Sequence, residues 1–114
     1  MIIKIPLKCN EDIVTIDWQA EKTKVPGLVV HKTIDLNGNK EPVVVTLPWS
    51  TRFYWTISHQ ETGRFVIDQI ETKKLALQVA EKLGKLDWTK TIKTKKEAMP
   101  YKRLRDKIIK EFGL

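Results

Sequence analysis

Residues 49–86 read WSTRFYWTISHQETGRFVIDQIETKKLALQVAEKLGKL, and this run decides the fold. Residues 53–58 alternate large apolar with polar side chains and are rich in aromatic and β-branched types, the pattern of a pleated, half-buried strand. His59-Gln60-Glu61-Thr62-Gly63 supplies a polar turn ending in a glycine able to take positive φ, and residues 64–70 read as the return strand. The five-residue loop sets Ser58 opposite Arg64, Ile57 opposite Phe65 and Trp55 opposite Ile67, with Phe53 continuing that apolar face. Arg52, Tyr54, Thr56, Ser58, Arg64 and Asp68 then share the other face, which reads as wet or ligand-bound, with Tyr54 across from Asp68. Thr72 follows as an N-cap. Leu75, Ala76, Val79, Ala80, Leu83 and Leu86 recur at helical spacing and present an apolar stripe to the hairpin.

Working outward, Ile3, Ile5 and Leu7 alternate as a first strand, which Pro6 restricts to an edge or an end, and Val14, Ile16 and Trp18 as a second. Residues 19–24 are charged and unpatterned, a loop punctuated by Val25-Pro26-Gly27. Residues 28–36 and 40–47 flank Asn37-Gly38, the dipeptide of a type I′ turn, which pairs Asp35 with Lys40, Val30 with Val45 and Leu28 with Leu47. Pro42 lacks an amide donor and leaves this strand a free edge, a route to a homodimer. Beyond Leu86, Thr94-Lys95-Lys96-Glu97 matches a capping box, but Pro100 suits only a first turn, and we place the helix start near Pro100. Tyr101, Leu104, Ile108 and Phe112 then form its buried stripe and Gly113 its stop, while Trp88 anchors a basic connector over residues 87–99. The sum is an α+β fold, a meandering antiparallel sheet of about six strands including two hairpins, packed by two C-terminal helices. It is read as one domain over residues 1–114, β-rich to residue 71 and helical after it.

Composition narrows the function. Hydrophobic residues at 41% and four tryptophans exclude a disordered chain, and no apolar run approaches the roughly 18–20 residues that cross a bilayer. The first residues lack the pattern of a signal peptide, and the single cysteine, Cys9, offers neither an internal disulfide nor a thiolate zinc site, so a cytoplasmic setting is expected. The net charge of +7 is lopsided. Residues 1–71 hold eight Lys/Arg against nine Asp/Glu, whereas residues 72–114 hold thirteen against five. A basic surface on the helical part would attract a polyanion.

No catalytic set assembles. His31 and His59 lie in different hairpins without an interpretable carboxylate or cysteine partner and read as a strand residue and a turn residue bonded to local backbone. Glu71-Thr72-Lys73 after Asp68 has the E-x-K form of metal-dependent nucleases, but the preceding strand carries no acid to complete a metal pair. We therefore expect no enzyme, no cofactor and no bound metal. The candidate contacts are for nucleic acid: Arg52, Tyr54 and Arg64 on the sheet, with Trp49 near them, and Lys93, Lys95, Lys96, Lys102, Arg103 and Arg105 on the C-terminal part. Cations neutralise phosphates and aromatic faces stack on unpaired bases, which favours single strands. The last helix carries only ordinary core residues on its apolar side, so a membrane surface is not the expected partner.

Trp55-Thr56-Ile57-Ser58-His59, Thr62-Gly63 and the Lys-rich helix after them resemble a hairpin-plus-helix pattern of small uncharacterised phage and mobile-element proteins. The resemblance covers about a third of the chain and implies a setting rather than an activity. The resulting expectation is a small non-enzymatic accessory protein that binds nucleic acid. The alternative is a protein-binding module, such as an inhibitor of a host defence or nucleic-acid-processing enzyme.

Overall fold

The alternating pattern resolves into eight strands followed by two helices, in a computed structural model that describes residues 1–9 and 11–114, with the side chain of Cys9 outside the described part. The strands are β1 (Ile2–Cys9), β2 (Asp12–Gln19), β3 (Glu21–Lys22), β4 (Leu28–Lys32), β5 (Ile34–Leu36), β6 (Pro42–Val44), β7 (Trp55–His59) and β8 (Phe65–Ile70); the helices are α1 (Lys73–Leu83) and α2 (Lys95–Phe112). All pairing is antiparallel and the class is α+β. Instead of one meander the strands form three sheets: β1 with β2, β5 with β6, and a central sheet in the order β3-β4-β7-β8.

The central sheet is covered on both faces. Leu28, Val30, Ile57, Ile67 and Ile70 pack against Ala76, Val79, Ala80 and Leu83 of α1, with Trp88 and Ile108 closing the same core. On the opposite face Val29 packs with Ile3, Ile5, Leu7, Ala20 and Ile34 beneath the β1–β2 hairpin. The face expected to be wet is thus interior along β7, where Thr56 and Ser58 are fully buried. Their hydroxyls are satisfied there, as buried polar groups must be. Thr56 Oγ1 lies 2.7 Å from Thr33 Oγ1, and Ser58 Oγ lies 2.7 Å from His31 Nε2.

His31 is itself buried, with Nδ1 2.7 Å from the Lys32 carbonyl. That oxygen can only accept, so Nδ1 carries the proton and Nε2 accepts from Ser58. Burial lowers the His31 pKa from its usual 6.5, against an opposing contribution from the Lys32 bond. As pH falls, the unfolded chain then binds the proton before the folded one does. The contribution of His31 to stability is complete above about pH 6.5 and declines below it, until the folded imidazole titrates. Urea midpoints should fall from about pH 7.5 to pH 5, and His31→Gln, whose amide does not titrate, should flatten part of that fall. Parallel pH profiles for the two proteins would refute the assignment.

Both hairpin registers differ from those expected. In β7–β8 the pairs are Ser58 with Phe65, Ile57 with Ile67 and Trp55 with Ile70, with irregularities between them and Gln69 at φ 54. The extra residues in β8 break the alternation, so Phe65 joins the core under β1 while Ile67 joins the helical core. Tyr54 lies beyond the end of β8 and never meets Asp68; its amide and carbonyl bond to Val45 and Thr33 instead. In β5–β6 the pairs are Leu36 with Pro42 and Ile34 with Val44, and Val30 belongs to β4, where it pairs with Ile57 rather than Val45. Asn37 Oδ1 accepts from the amides of Asn39 and Glu41, and Lys40, not Gly38, takes the left-handed conformation. The side chain of Asn37 thus closes a longer loop in place of the two-residue turn.

α1 begins as expected, with Thr72 Oγ1 accepting from the Leu75 amide at 3.0 Å. α2 starts at Lys95, five residues ahead of Pro100, because Thr94 Oγ1 caps the Glu97 amide and Glu97 Oε2 accepts from the Lys93 amide. Pro100 is therefore inside the helix, and Gly113 ends it in the left-handed conformation.

Candidate nucleic-acid interface

The early start of α2 places Ala98, Tyr101, Lys102 and Arg105 at intervals of three and four on one helical face. That face overlooks the β7–β8 turn, and between them lies a cleft of about 440 Å³. His59, Thr62 and Arg64 of the turn, Trp88 and Ile92 of the connector, and Tyr101, Lys102 and Arg105 of α2 line it, with Glu61 as its one carboxylate. Phe65 and Val66 also contribute to its apolar surface.

Each wall is held by bonds distant in sequence. Trp88 is buried, its Nε1–H donates to the Leu83 carbonyl at 2.7 Å, and its ring meets Tyr101 edge-on at 4.8 Å. His59 Nε2 lies 2.7 Å from the Trp88 carbonyl, so Nε2 donates and Nδ1, 2.9 Å from Thr62 Oγ1, accepts. His59 thereby ties the turn to the connector. The local backbone partner expected for it is replaced by one 29 residues away. The Tyr101 hydroxyl donates to the Asp87 carbonyl. Burial, and then the Asp87 charge, raise the Tyr101 pKa above 10, so the phenol stays neutral. Asp87 in turn accepts from the Thr89 amide and hydroxyl, which lower its pKa ahead of the nearby Lys90.

Of the nine expected contact residues, Arg64, Lys102 and Arg105 converge on the cleft. Arg105 also bonds Asp106 at 3.0 Å, whereas Arg64 and Lys102 form no ion pair among the described residues. Lys95 lies two turns before Lys102 on the same side of α2. Lys96 and Arg103, with Lys107 and Lys110, make an outward stripe on another side, and Lys93 sits in the connector before the helix. Arg52 and Tyr54 do not join them. They stand at the Trp55 end of β7, and Arg64 pairs with the His59 end, so a platform of Arg52, Tyr54 and Arg64 does not form.

Tyr101, Thr62 and His59 were not legible as cleft residues. For Tyr101 the signal is its helical spacing with Lys102 and Arg105, extended to Ala98 by the start of α2 at Lys95, whereas His59 and Thr62 reach the cleft only because α2 packs beside their turn. Two other constellations are occupied structurally. Lys73 of the E-x-K sequence pairs with Glu21 at 2.5 Å and lies 5.7 Å from the Trp55 ring, and Glu71 is exposed. Among the described residues, no three His, Cys, Asp or Glu side chains group to hold a metal ion. Ser58 and His31 have the contact of a nucleophile and its base, but Ser58 is fully buried.

Fold and cleft together define a basic α+β protein with cations from a hairpin and a helix gathered over an aromatic wall. Comparison of the chain with protein-family models, curated proteins and solved structures finds no match. No described helix is long and apolar enough to cross a membrane.

Proposed function

We propose that this protein is a small non-enzymatic accessory factor of phage or mobile-element type, working in the cytoplasm, that binds nucleic acid, with single strands preferred over duplex. The observation that carries the reading is the convergence of Arg64, Lys102 and Arg105 on one cleft, from two elements far apart in sequence. Such cations neutralise successive phosphates. The cleft is within the usual size range of small-ligand sites, about 300–1,000 Å³, and its aromatic and apolar wall suits an unpaired base, which duplex does not offer. The charge distribution, with thirteen Lys/Arg against five Asp/Glu over residues 72–114, supports the same partner.

Fluorescence anisotropy with labelled DNA and RNA at about 50 and 200 mM salt tests it. Three phosphate contacts on a single strand give a log–log salt slope of about −2, or roughly a 20-fold loss of affinity over that interval. Arg64→Ala and Lys102→Ala should each lessen the slope by about 0.7. Absence of binding at low salt would defeat the proposal and favour the protein-binding alternative.

A further inference from the structure

Trp49 is the most exposed large apolar residue of the chain, at 105% of its reference area, and its backbone holds a φ of 60, in the left-handed region that side chains other than glycine rarely adopt. The segment that carries it is well tied. The Leu47 amide donates to the Arg52 carbonyl at 2.9 Å, the Ser50 amide to the Leu47 carbonyl at 3.2 Å, and the Arg52 amide to Ser50 Oγ at 3.1 Å. Thr46 and Phe53 close the base of the loop as a bridge. An indole on a frayed loop would carry no information. An indole at the tip of a hydrogen-bonded loop, with backbone strain retained and both ring faces open, is a presented group.

The geometry points to Trp49 as a stacking contact for an unpaired nucleobase, on the strand whose phosphates occupy the cleft of Arg64, Lys102 and Arg105; it rests on the nucleic-acid reading above. Base stacking takes an open aromatic face, and this ring offers two. Residues 45–54 contain no carboxylate and one cation, the exposed Arg52, so the loop repels no phosphate and can bind one beside the stacked base. An insertion into lipid would call for a broader apolar patch, whereas the neighbours Ser50, Thr51 and Arg52 are polar. The loop stands at the opposite end of β7 from the cleft, so one strand must be long enough to reach both.

The test uses a single-stranded oligonucleotide of about twelve nucleotides, within the span such sites cover, and an abasic strand of equal length. Trp18 and Trp55 are half-buried and Trp88 is buried, so the emission lost in Trp49→Phe reports the exposed ring. The oligonucleotide should quench that component, and Trp49→Ala should weaken its binding roughly 5- to 150-fold, with Trp49→Phe retaining most of the affinity. The abasic strand should neither quench nor discriminate Trp49→Ala from the parent protein. Because the side chain buries nothing, an unchanged thermal midpoint is expected for Trp49→Ala. Equal affinity of Trp49→Ala and the parent, or equal quenching by the abasic strand, would overturn the stacking role while leaving the cleft reading intact. Failure of the parent protein to bind either strand at low salt would overturn both.

Discussion

Gly63→Ala is expected to destabilise the protein by about 3 kcal/mol or more, since a left-handed residue other than glycine costs roughly 1–2 kcal/mol and overpacking adds about 1–3 kcal/mol. Gly63 closes the β7–β8 turn at φ +70, with its amide donating to the His59 carbonyl. A Cβ there would stand 1.7 Å from the carbonyl oxygen of Lys4, so β1 passes directly over the turn. Backbone cannot yield as a flexible side chain can. The alternative to unfolding is that β1 lifts, exposing Ile3, Ile5 and Leu7. Gly38→Ala is the matched control, because nothing lies within 4 Å of a Cβ at that position and its φ is not left-handed. Urea unfolding with dye binding reports both outcomes. Equal midpoints for the two variants would mean that β1 does not cross the turn as described.

Trp88→Ala should cost about 3–5 kcal/mol, the range for deleting a large buried aromatic, out of a total of about 5–15 kcal/mol for a domain of this kind. The side chain is 6% exposed and fills the space between the end of α1 and the face of α2. Its removal leaves the Leu83 carbonyl without its indole donor and Tyr101 without its edge-on partner. Trp88→Phe keeps an aromatic ring and loses the N–H, so about 0.5–1.5 kcal/mol is expected, the net contribution of one hydrogen bond, because the Leu83 carbonyl still accepts from the Leu86 amide. Denaturation curves read the sequence of the three proteins. A Trp88→Ala loss below about 1 kcal/mol would show that the connector does not depend on this anchor.

Much of this was legible locally. Trp88 is the lone large aromatic in a charged connector, Thr72 stands before a helical apolar stripe, and Gly113 follows the last one. Thr72 and Gly113 act on neighbours within a few residues, and all three appear in the structure in the roles their chemistry suggested, although the partners of Trp88 on α2 lie far along the chain. The capping box at Thr94 is legible too, but Pro100, which locally suits only a first turn, points to a later start. In the structure, the first turns of α2 bring Ala98 and Tyr101 to the cleft and the ring of Tyr101 to Trp88, contacts that a start at Pro100 would forgo in part. Tertiary packing outweighed the local penalty of an internal proline.

The sequence by itself determined the α+β class, the order of strands before helices and the concentration of positive charge on the helical part, because periodicity, capping and composition are properties of the chain alone. It did not determine that residues 19–24, expected as a loop, carry β3, or that residues 28–36, expected as one strand, divide between β4 and β5 in different sheets. Only the tertiary structure decided register and which faces are interior. Thr56 and Ser58 look like solvent-facing residues until the β1–β2 hairpin covers them and His31 and Thr33, distant in sequence, meet their hydroxyls. The same holds for the candidate site: Arg64 becomes a neighbour of Lys102 and Arg105 because α2 packs beside the turn, while Arg52 is carried to the far end of β7. A side chain's type is set where it is coded, but its neighbours across a sheet depend on the registers and layers that bury the most apolar surface without stranding a polar group.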